Sequence, residues 1–231
     1  MRFAREQALF KNRYDAGRQL AAQLGEYEGQ SVVVLAIPNG GVPVALEVAL
    51  ALEADLDMVI SRKIPLPLTP EAGFGAVADD GTVILNGEVV ERVGLSQHQI
   101  DYQINQVIAE IRQRSLLYRK DRPLTVVSGK TVIISDDGLA SGFTMMAAVE
   151  SVRRRQPKEV VVAVPVTSAA ALEQVGKVAD KVVTLAKGTM PRFYIADFYH
   201  YWHDLSDAEV IQCLKEWRLR RFNSNIEPPP K

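Results

Sequence analysis

Five short runs of continuous apolar residues recur along the chain and constrain its fold more than any other feature. They are rich in Val and Ile and lie at Ser31–Ile37, Leu56–Ile60, Lys130–Ser135, Glu159–Pro165 and Asp180–Leu185. A strand that is apolar at every position, and not only at alternate ones, is covered on both faces, as in a parallel sheet. The sequence therefore predicts an α/β fold with a roughly five-stranded parallel sheet and helices on both faces.

Helical segments separate these runs. Val42–Glu53, Thr144–Arg155 and Ser168–Val178 each fall between two predicted strands, which is the alternation of a doubly wound domain. Two further helices are predicted outside that alternation. One is amphipathic, covers Phe3–Gly25 and precedes the first strand, and the other is long and extends from its N-cap at Ser96 to Arg119.

Two other segments complete the organisation of the chain. Within Pro65–Glu91, the β-like runs Gly73–Ala78 and Val83–Leu85 flank an Asp-Asp-Gly turn and predict a hairpin. An aromatic stretch from Phe193 to Trp202 precedes a helix that begins at Ser206. We predict a single domain over residues 1–222, with a flap at 64–91, a C-terminal hood and helix at 190–221, and a disordered tail at 223–231.

The charge balance argues against two classes of partner. Among 231 residues, 27 Lys and Arg oppose 28 Asp and Glu, for a net charge of −1, which argues against a general electrostatic grip on nucleic acid or on a membrane surface. No run reaches the ~20 apolar residues that a membrane span needs. The one cysteine, Cys213, fits a reducing compartment. We therefore expect a cytoplasmic protein.

The segment Val132–Met146 carries the most chemical information. It consists of a buried strand, the acids Asp136 and Asp137, a loop of small residues and the start of a helix. The N–H groups of such a loop can close on a phosphate at the helix N-terminus, which favours an anion. Carboxylates only accept hydrogen bonds and suit a vicinal diol. The end of a strand in an open α/β sheet is also where such ligands bind, so we predict a sugar-phosphate site.

This segment closely resembles the binding motif for phosphoribosyl pyrophosphate (PRPP) of the type I phosphoribosyltransferases. The resemblance implies the type I phosphoribosyltransferase-like fold and places Asp136 and Asp137 on the ribose hydroxyls. The alternative is that the Asp-Asp-Gly sequence only ends a strand in a turn. The resemblance also implies that a loop holds the 5′-phosphate, formed by Gly138, Leu139, Ala140, Ser141, Gly142, Phe143 and Thr144.

A second match follows the first strand. Pro38, Asn39, Gly40 and Gly41 resemble the pyrophosphate loop of that family, whose glycines let the backbone contact the diphosphate. Read without the resemblance, two glycines between a strand and a helix are also a common tight turn. Relatives often carry Arg where this chain has Asn39, and the difference removes a cation from the pyrophosphate site.

A third match is Ser61-Arg62-Lys63, which follows the second predicted strand. Arg and Lys both suit pyrophosphate oxygens, and we predict Arg62 and Lys63 as pyrophosphate-binding and catalytic residues. The alternative is a solvated pair of cations at the end of a strand. The segment after them, Ile64–Val90, occupies the position of the family's mobile flap, and its Pro and Gly residues are compatible with a loop that opens and closes.

The aromatic stretch predicts where an acceptor would bind. Phe198, Tyr199, Tyr201 and Trp202 would stack on a planar acceptor as a hood, or pack in the core below a C-terminal helix. The resemblance extends over nearly the whole chain to an uncharacterised subgroup of the family. The resemblance also implies that the protein forms a homodimer. Ala140 stands where the 6-oxopurine enzymes carry Asp, which disfavours hypoxanthine or guanine as the acceptor.

The resemblance implies a transferase that moves the 5-phosphoribosyl group of PRPP to a nitrogenous acceptor and releases pyrophosphate. Mg²⁺ is the implied cofactor, held by Asp136 and Asp137 largely through substrate and water. Two alternatives stay open. One is a regulator of the same fold that senses PRPP or a nucleotide and binds RNA through Arg218, Arg220 and Arg221. The other is a hydrolase or phosphorylase acting on another ribose phosphate.

Overall fold

The structure is a computed structural model that describes residues 8–119, 123–188 and 193–224. Its strands are β1 (Val32–Ala36), β2 (Asp55–Met58), β3 (Ser61–Leu66), β4 (Thr69–Ala78), β5 (Val83–Leu85), β6 (Thr131–Ser135), β7 (Glu159–Ser168) and β8 (Lys181–Gly188). Its α-helices are α1 (Arg13–Ala21), α2 (Gly41–Ala51), α3 (Gly87–Val93), α4 (Gln97–Arg119), α5 (Phe143–Arg153), α6 (Ala169–Val175) and α7 (Asp207–Ser224).

A five-stranded sheet forms the centre of the fold, in the order β2-β1-β6-β7-β8, and all its neighbouring strands are parallel. Strand β1 is buried at every position. Its residues Val32 and Val34 pack in a cluster with α1, α2 and α7, whereas Val33 and Leu35 pack in another with α5 and α6. The predicted parallel sheet with helices on both faces is therefore confirmed.

The sheet order places a switch point between β1 and β6. From β1 the chain crosses to β2 on one side, and from β6 it crosses to β7 on the other. Loops at the carboxyl ends of the two central strands therefore diverge and leave a crevice between them. Pro38–Gly41 follows β1 and Asp136 follows β6, so both predicted binding segments lie at this crevice.

The predicted flap forms part of a second, antiparallel sheet. Strands β3, β4 and β5 form a separate antiparallel sheet, in which β3 pairs with β4 over Ser61–Leu66 and Thr69–Ala78. The predicted pairing of Gly73–Ala78 with Val83–Leu85 is confirmed, but the residues before it are a strand and not a loop. Pro65 lies at a register shift in β3, where a proline, which has no N–H, is tolerated.

The N-terminal helix is shorter than predicted. It begins at Arg13, because the side chain of Asn12 accepts a hydrogen bond from the Asp15 N–H and caps it. Just before it, Phe10 is paired with the aromatic stretch: its N–H donates to the Phe198 carbonyl at 3.0 Å, and its carbonyl accepts from the His200 N–H at 2.9 Å. Residues 3–7 of the predicted helix lie outside the described residues.

Both predicted serine caps are present. Ser96 and Ser206 exchange hydrogen bonds with Gln99 and Glu209 three residues later, which defines a capping box at the start of α4 and of α7. Helix α7 extends to Ser224, two residues past the boundary predicted for the tail, and residues 225–231 lie outside the described part of the chain. No helix in the described ranges is both long and apolar enough to cross a membrane.

Substitution of Glu209 by glutamine is expected to lower the thermal midpoint more at pH 6 than at pH 3. The Ser206 N–H and then His203 lower the pKa of Glu209 from 4.5 to about 2. A lowered carboxylate pKa stabilises the fold above the unfolded value, and this stability is lost as the pH falls toward the folded value. Circular dichroism melts across this range test it, with Glu28→Gln as the exposed control. A midpoint difference that does not change with pH would contradict it.

Candidate active site

The two loops at the switch point are in direct contact. A Cβ atom on Gly40 would lie 2.0 Å from Asp137 Oδ2, and one on Gly41 would lie 2.7 Å from the carbonyl oxygen of Ser135. The first loop therefore approaches the acid pair so closely that neither position leaves room for a side chain. The peptide bond between Pro38 and Asn39 is cis.

Substitution of Gly40 by alanine is expected to destabilise the fold by about 1–3 kcal/mol, the typical cost of overpacking. Gly40 has φ −61° and ψ −35°, which alanine adopts freely, so the effect isolates the clash with the Asp137 carboxylate. Gly87→Ala is the matched control, because a Cβ there meets nothing within 4 Å. Urea unfolding of the two variants measures the difference. Equal urea midpoints for the two variants would show that the Asp137 carboxylate moves aside with no loss of stability.

Arg13 holds Asp137, and sequence reasoning gave it no role. Its Nε donates to Asp137 Oδ2 at 2.8 Å, and both side chains are about nine-tenths buried. A second nitrogen donates to the His203 carbonyl at 2.9 Å, and the guanidinium carbon lies 3.7 Å from the ring centroid of Trp202. Arg13 therefore connects an acid of the predicted diol site to the aromatic hood.

The acid pair is electrostatically unfavourable as it stands. Burial raises the pKa of Asp136 well above its ordinary value, and the neighbouring Asp137 charge adds to the effect. Burial also raises the pKa of Asp137, with the Arg13 guanidinium opposing it. The Asp136 carboxylate accepts a hydrogen bond of 2.8 Å from the Asp137 N–H. Two adjacent, partly desolvated carboxylates favour hydroxyl donors or a cation at this point.

The predicted phosphate loop is held by strand β7. The Leu139 N–H donates to the Val166 carbonyl at 2.9 Å, and the Leu139 carbonyl accepts from the Ser168 N–H at 2.9 Å. The Ser168 hydroxyl donates to the Ala140 carbonyl at 2.7 Å. Gly142 takes the left-handed φ of +82° immediately before α5. The tip of the loop, Ala140 and Ser141, is exposed and accessible to a ligand.

A cleft of about 690 Å³ opens beside the acid pair. Several of the predicted residues line it, namely Pro38, Asn39, Gly40, Arg62, Lys63, Asp137 and Trp202. Sequence reasoning missed four charged lining residues, Arg13, Glu110, Arg114 and Asp204. Outside this lining lie the other predicted residues: Gly41, Asp136, the phosphate loop from Gly138 to Thr144, and Phe198, Tyr199 and Tyr201. The structure thus brings the predicted pyrophosphate residues together with one of the two acids.

The predicted catalytic cations lie on β3. Arg62 forms an ion pair of 3.2 Å with Glu110 of α4. Burial, and then the nearby Arg114 guanidinium, lowers the pKa of Arg62. Lys63 is exposed, and its Nζ donates to the Glu71 carbonyl at 2.5 Å. Both cations are held by groups that an anionic ligand in the cleft would compete with.

The aromatic residues of the hood divide between core and cleft. Tyr199 is buried, donates from its hydroxyl to the Asp137 carbonyl at 2.7 Å, and packs on Phe10 and Trp202. Phe198 packs on Phe193, and Tyr201 is 68% exposed. Trp202 is the predicted aromatic residue that lines the cleft. Tyr199 and Phe198 therefore belong to a core cluster with Phe10 and with Val166 of β7, which differs from the predicted alternative of packing below the C-terminal helix.

Asn39 links the first loop to two helices. Its Nδ2 donates to the Leu205 carbonyl at 2.7 Å and to Asp207 at 3.2 Å. Its Oδ1 accepts from Arg114 at 2.6 Å, and the oxygen of the Tyr118 hydroxyl, which donates its proton to Asp207, lies 3.0 Å from it. The spacing of Arg114 and Tyr118, four residues apart on α4, indicates a shared helix face, but only the tertiary structure shows what that face meets.

Comparisons with known proteins identify the family. The family described as the phosphoribosyl transferase domain matches residues 7–196. Two curated proteins of Mycobacterium tuberculosis, "Putative phosphoribosyl transferase MT0597" from strain CDC 1551 / Oshkosh and "Putative phosphoribosyl transferase Rv0571c" from strain H37Rv, are each 38% identical over 206 residues. The match covers 89% of this chain and 46% of each relative, so the chain spans about half their length.

A solved structure covers the same region. The crystal structure of the protein TT1426 from Thermus thermophilus aligns with a TM-score of 0.73 and 35% sequence identity. The alignment covers 90% of this chain and 98% of the Thermus chain. The resemblance inferred from the strand, the acid pair and the loop is therefore confirmed over most of the sequence. The chain belongs to the phosphoribosyl transferase domain family.

Proposed function

We propose that this protein transfers the 5-phosphoribosyl group of PRPP to a nitrogenous acceptor and releases pyrophosphate. One observation carries the proposal. At the switch point, Gly40 touches the carboxylate of Asp137, and the cations Arg62 and Lys63 face the same cleft. A carboxylate that can accept hydrogen bonds from a diol and a wall of cations lie at the same crevice. This combination suits a ligand that carries a ribose beside a diphosphate.

The parts of PRPP can be distributed over this site. Asp136 and Asp137 would accept hydrogen bonds from the two ribose hydroxyls. The loop from Gly138 to Thr144, at the N-terminus of α5, would hold the 5′-phosphate with its backbone N–H groups. The pyrophosphate would lie toward Pro38–Gly41, within reach of Arg62 and Lys63. Support for this comes from Arg62, Lys63 and Asp137 sharing the cleft lining.

The chemistry follows from that distribution. The bond between ribose C1 and the pyrophosphate oxygen breaks, and its electron pair leaves with the pyrophosphate. The acceptor nitrogen forms a new bond to C1, and its proton passes to solvent. Related glycosyl transfers pass through a cation-like sugar, so the main task of the protein is to neutralise charge on the leaving group. Arg62 and Lys63 are the residues that we assign to this task.

Magnesium is the cofactor that we propose. The part of the chain that the structure describes contains no group of three or more His, Cys, Asp or Glu placed to hold a metal ion. Asp136 and Asp137 offer two neighbouring carboxylates, one of them paired with Arg13. This donor set fits Mg²⁺, which takes one or two carboxylates and completes its shell with water and phosphate oxygens. When bound, the ion would neutralise charge on the pyrophosphate.

The acceptor is expected at the hood side of the cleft. Of the residues predicted as the hood, Trp202 is the one in the lining, and the guanidinium of Arg13 covers one of its faces. We therefore assign acceptor contact to Trp202, and give Tyr199 the role of fixing Trp202 from beneath. The exposed Tyr201 contributes only if the acceptor extends beyond the cleft.

Calorimetry tests the donor half of this proposal, and pyrophosphate release tests the acceptor half. Titration of PRPP with Mg²⁺ into the wild type is expected to show micromolar binding. A panel of purine, pyrimidine and pyridine bases would then be screened for PRPP-dependent pyrophosphate release. Absence of binding at millimolar PRPP would refute the transferase and direct attention to other ribose phosphates.

The regulatory alternative loses its main support. Arg220 pairs with Glu47 and Glu216, and Arg221 with Asp55. Two of the three arginines of the predicted patch on α7 are therefore paired with acids, while Arg218 is exposed, and we expect no strong salt-dependent affinity for RNA. A gel-shift titration with a mixed-sequence RNA at two salt concentrations tests this directly.

A further inference from the structure

Arg114 of α4 lies in an unusual electrostatic position. It lines the cleft beside Arg62, and the two guanidinium groups are close enough for Arg114 to lower the pKa of Arg62, after the effect of burial. Two like charges on one wall are unfavourable unless an anion lies between them. Glu110 partly compensates through its ion pair with Arg62, but its side chain is 56% exposed, where such pairs contribute little.

The hydrogen bond of Arg114 is made to a neutral group. Its Nη1 donates to Asn39 Oδ1 at 2.6 Å, whereas the Asp207 carboxylate lies 3.6 Å away, beyond hydrogen-bond length. The charge of Arg114 is therefore matched only loosely by its acid neighbour. A planar guanidinium in this position retains the capacity to bind phosphate oxygens in pairs.

Asp207 has hydrogen-bond donors other than Arg114. Its carboxylate accepts a short hydrogen bond from the Tyr118 hydroxyl and another of 3.2 Å from Asn39 Nδ2. The Tyr118 hydrogen bond is the first cause that lowers the pKa of Asp207, ahead of the Arg114 charge. If Arg114 turned toward a ligand, Asp207 would keep two donors and stay charged.

We propose that Arg114 is a third cation of the pyrophosphate subsite, beside Arg62 and Lys63, at the point where the loop itself offers only the neutral side chain of Asn39. This inference rests on the proposed function, because it assigns a diphosphate to that wall of the cleft. It also explains why a chain with Asn39 in its pyrophosphate loop needs no cation in the loop. The cation is supplied instead by a helix, 75 residues away in sequence.

The test compares Arg114→Gln with Arg112→Gln. Arg112 is an exposed arginine of the same helix that does not line the cleft, so it controls for helix charge. Calorimetry with inorganic pyrophosphate and Mg²⁺, with PRPP and Mg²⁺, and with ribose 5-phosphate alone separates the two halves of the site. Arg114→Gln is expected to weaken both diphosphate ligands about ten- to a hundredfold, the range for loss of a charged hydrogen-bond donor.

The affinity for ribose 5-phosphate distinguishes a direct role of Arg114 from a structural one. If Arg114 only supported the fold of the loop, Arg114→Gln would weaken this ligand as well. Its affinity is expected to stay within about twofold in Arg114→Gln, because the residues proposed for the ribose and the 5′-phosphate, apart from Asp137, lie outside the cleft lining to which Arg114 belongs. Arg114→Lys should recover part of the diphosphate affinity, since the charge remains and only the planar fork is lost.

Three outcomes are decisive in different ways. If the wild type binds PRPP and Arg114→Gln binds it equally well, the inference fails and the proposed function stands. If Arg114→Gln weakens ribose 5-phosphate as much as PRPP, Arg114 only supports the fold of the loop and the inference also fails. If the wild type binds neither PRPP nor ribose 5-phosphate, the proposed function itself is refuted.

Discussion

Substitution of Asp136 by asparagine is expected to weaken PRPP binding more than tenfold while it stabilises the fold. The weaker binding follows from the loss of a charged acceptor for a ribose hydroxyl, which contributes about 1.5–3 kcal/mol. The stabilisation follows because burial and the Asp137 charge raise the pKa of Asp136, which means that the folded protein disfavours the ionised carboxylate. Asparagine keeps the oxygen that accepts the Asp137 N–H and removes the charge.

Two measurements on the same variants check this. Calorimetry gives the PRPP affinity, and urea unfolding gives the stability. Asp180→Asn is the control, because Asp180 is far from the acid pair in sequence. Its carboxylate accepts a hydrogen bond of 2.9 Å from Arg153, and this bond lowers the pKa of Asp180. The control should lose stability and keep PRPP affinity. An Asp136→Asn variant with unchanged affinity would remove this acid from the ribose site. The double variant Asp136→Asn/Asp137→Asn is expected to abolish PRPP binding.

Substitution of Arg13 by methionine is expected to lower the free energy of unfolding by about 3–5 kcal/mol, the cost of leaving a buried charge without its partner. Methionine keeps much of the volume against Trp202 but loses the 2.8 Å hydrogen bond to Asp137 and the bond to the His203 carbonyl. Urea unfolding measures the loss. Arg18→Met, on the same helix and 55% exposed at the side chain, is expected to cost at most about 1 kcal/mol.

A second substitution distinguishes charge from packing. In the double variant Arg13→Met/Asp137→Asn, the unpaired carboxylate is gone, so part of the stability lost in Arg13→Met should return. A coupling of about 0.5–3 kcal/mol between the two sites is the expected size for residues in contact. Additive losses would mean that Arg13 acts through Trp202 and the His203 carbonyl instead of through Asp137.

The sequence predicts this fold well where one segment carries its own signal. The run Val132–Ser135 is apolar at nearly every position, and the acids and glycines after it need only the next few residues to be interpreted. The same holds for the serine caps of α4 and α7, whose partners lie three residues away. Short-range patterns therefore predicted the central sheet, most helices and both loops of the candidate site.

The interactions that sequence reasoning missed join distant segments. Arg13 meets Asp137 across 124 residues, and Arg114 meets Asn39 across 75. No local pattern marks an arginine as the partner of a particular acid, because the choice depends on how the helices pack. Strand β3 was missed for another reason: Pro65 argues against a strand, and only the register shift beside it removes the conflict.

The pairing of Phe10 with the stretch from Phe198 to His200 has a consequence for biosynthesis. Arg13 follows this pairing and donates to the His203 carbonyl, so residues near the two ends of the matched region meet at the site. On a translating ribosome, the central strands β1 and β6 emerge long before residue 203 does. Until the last part of the domain is made, the nascent chain therefore carries the acid pair while Arg13 lacks its hydrogen bond to the His203 carbonyl. A chain truncated before Tyr199 would never form the hydrogen bond between Arg13 and the His203 carbonyl.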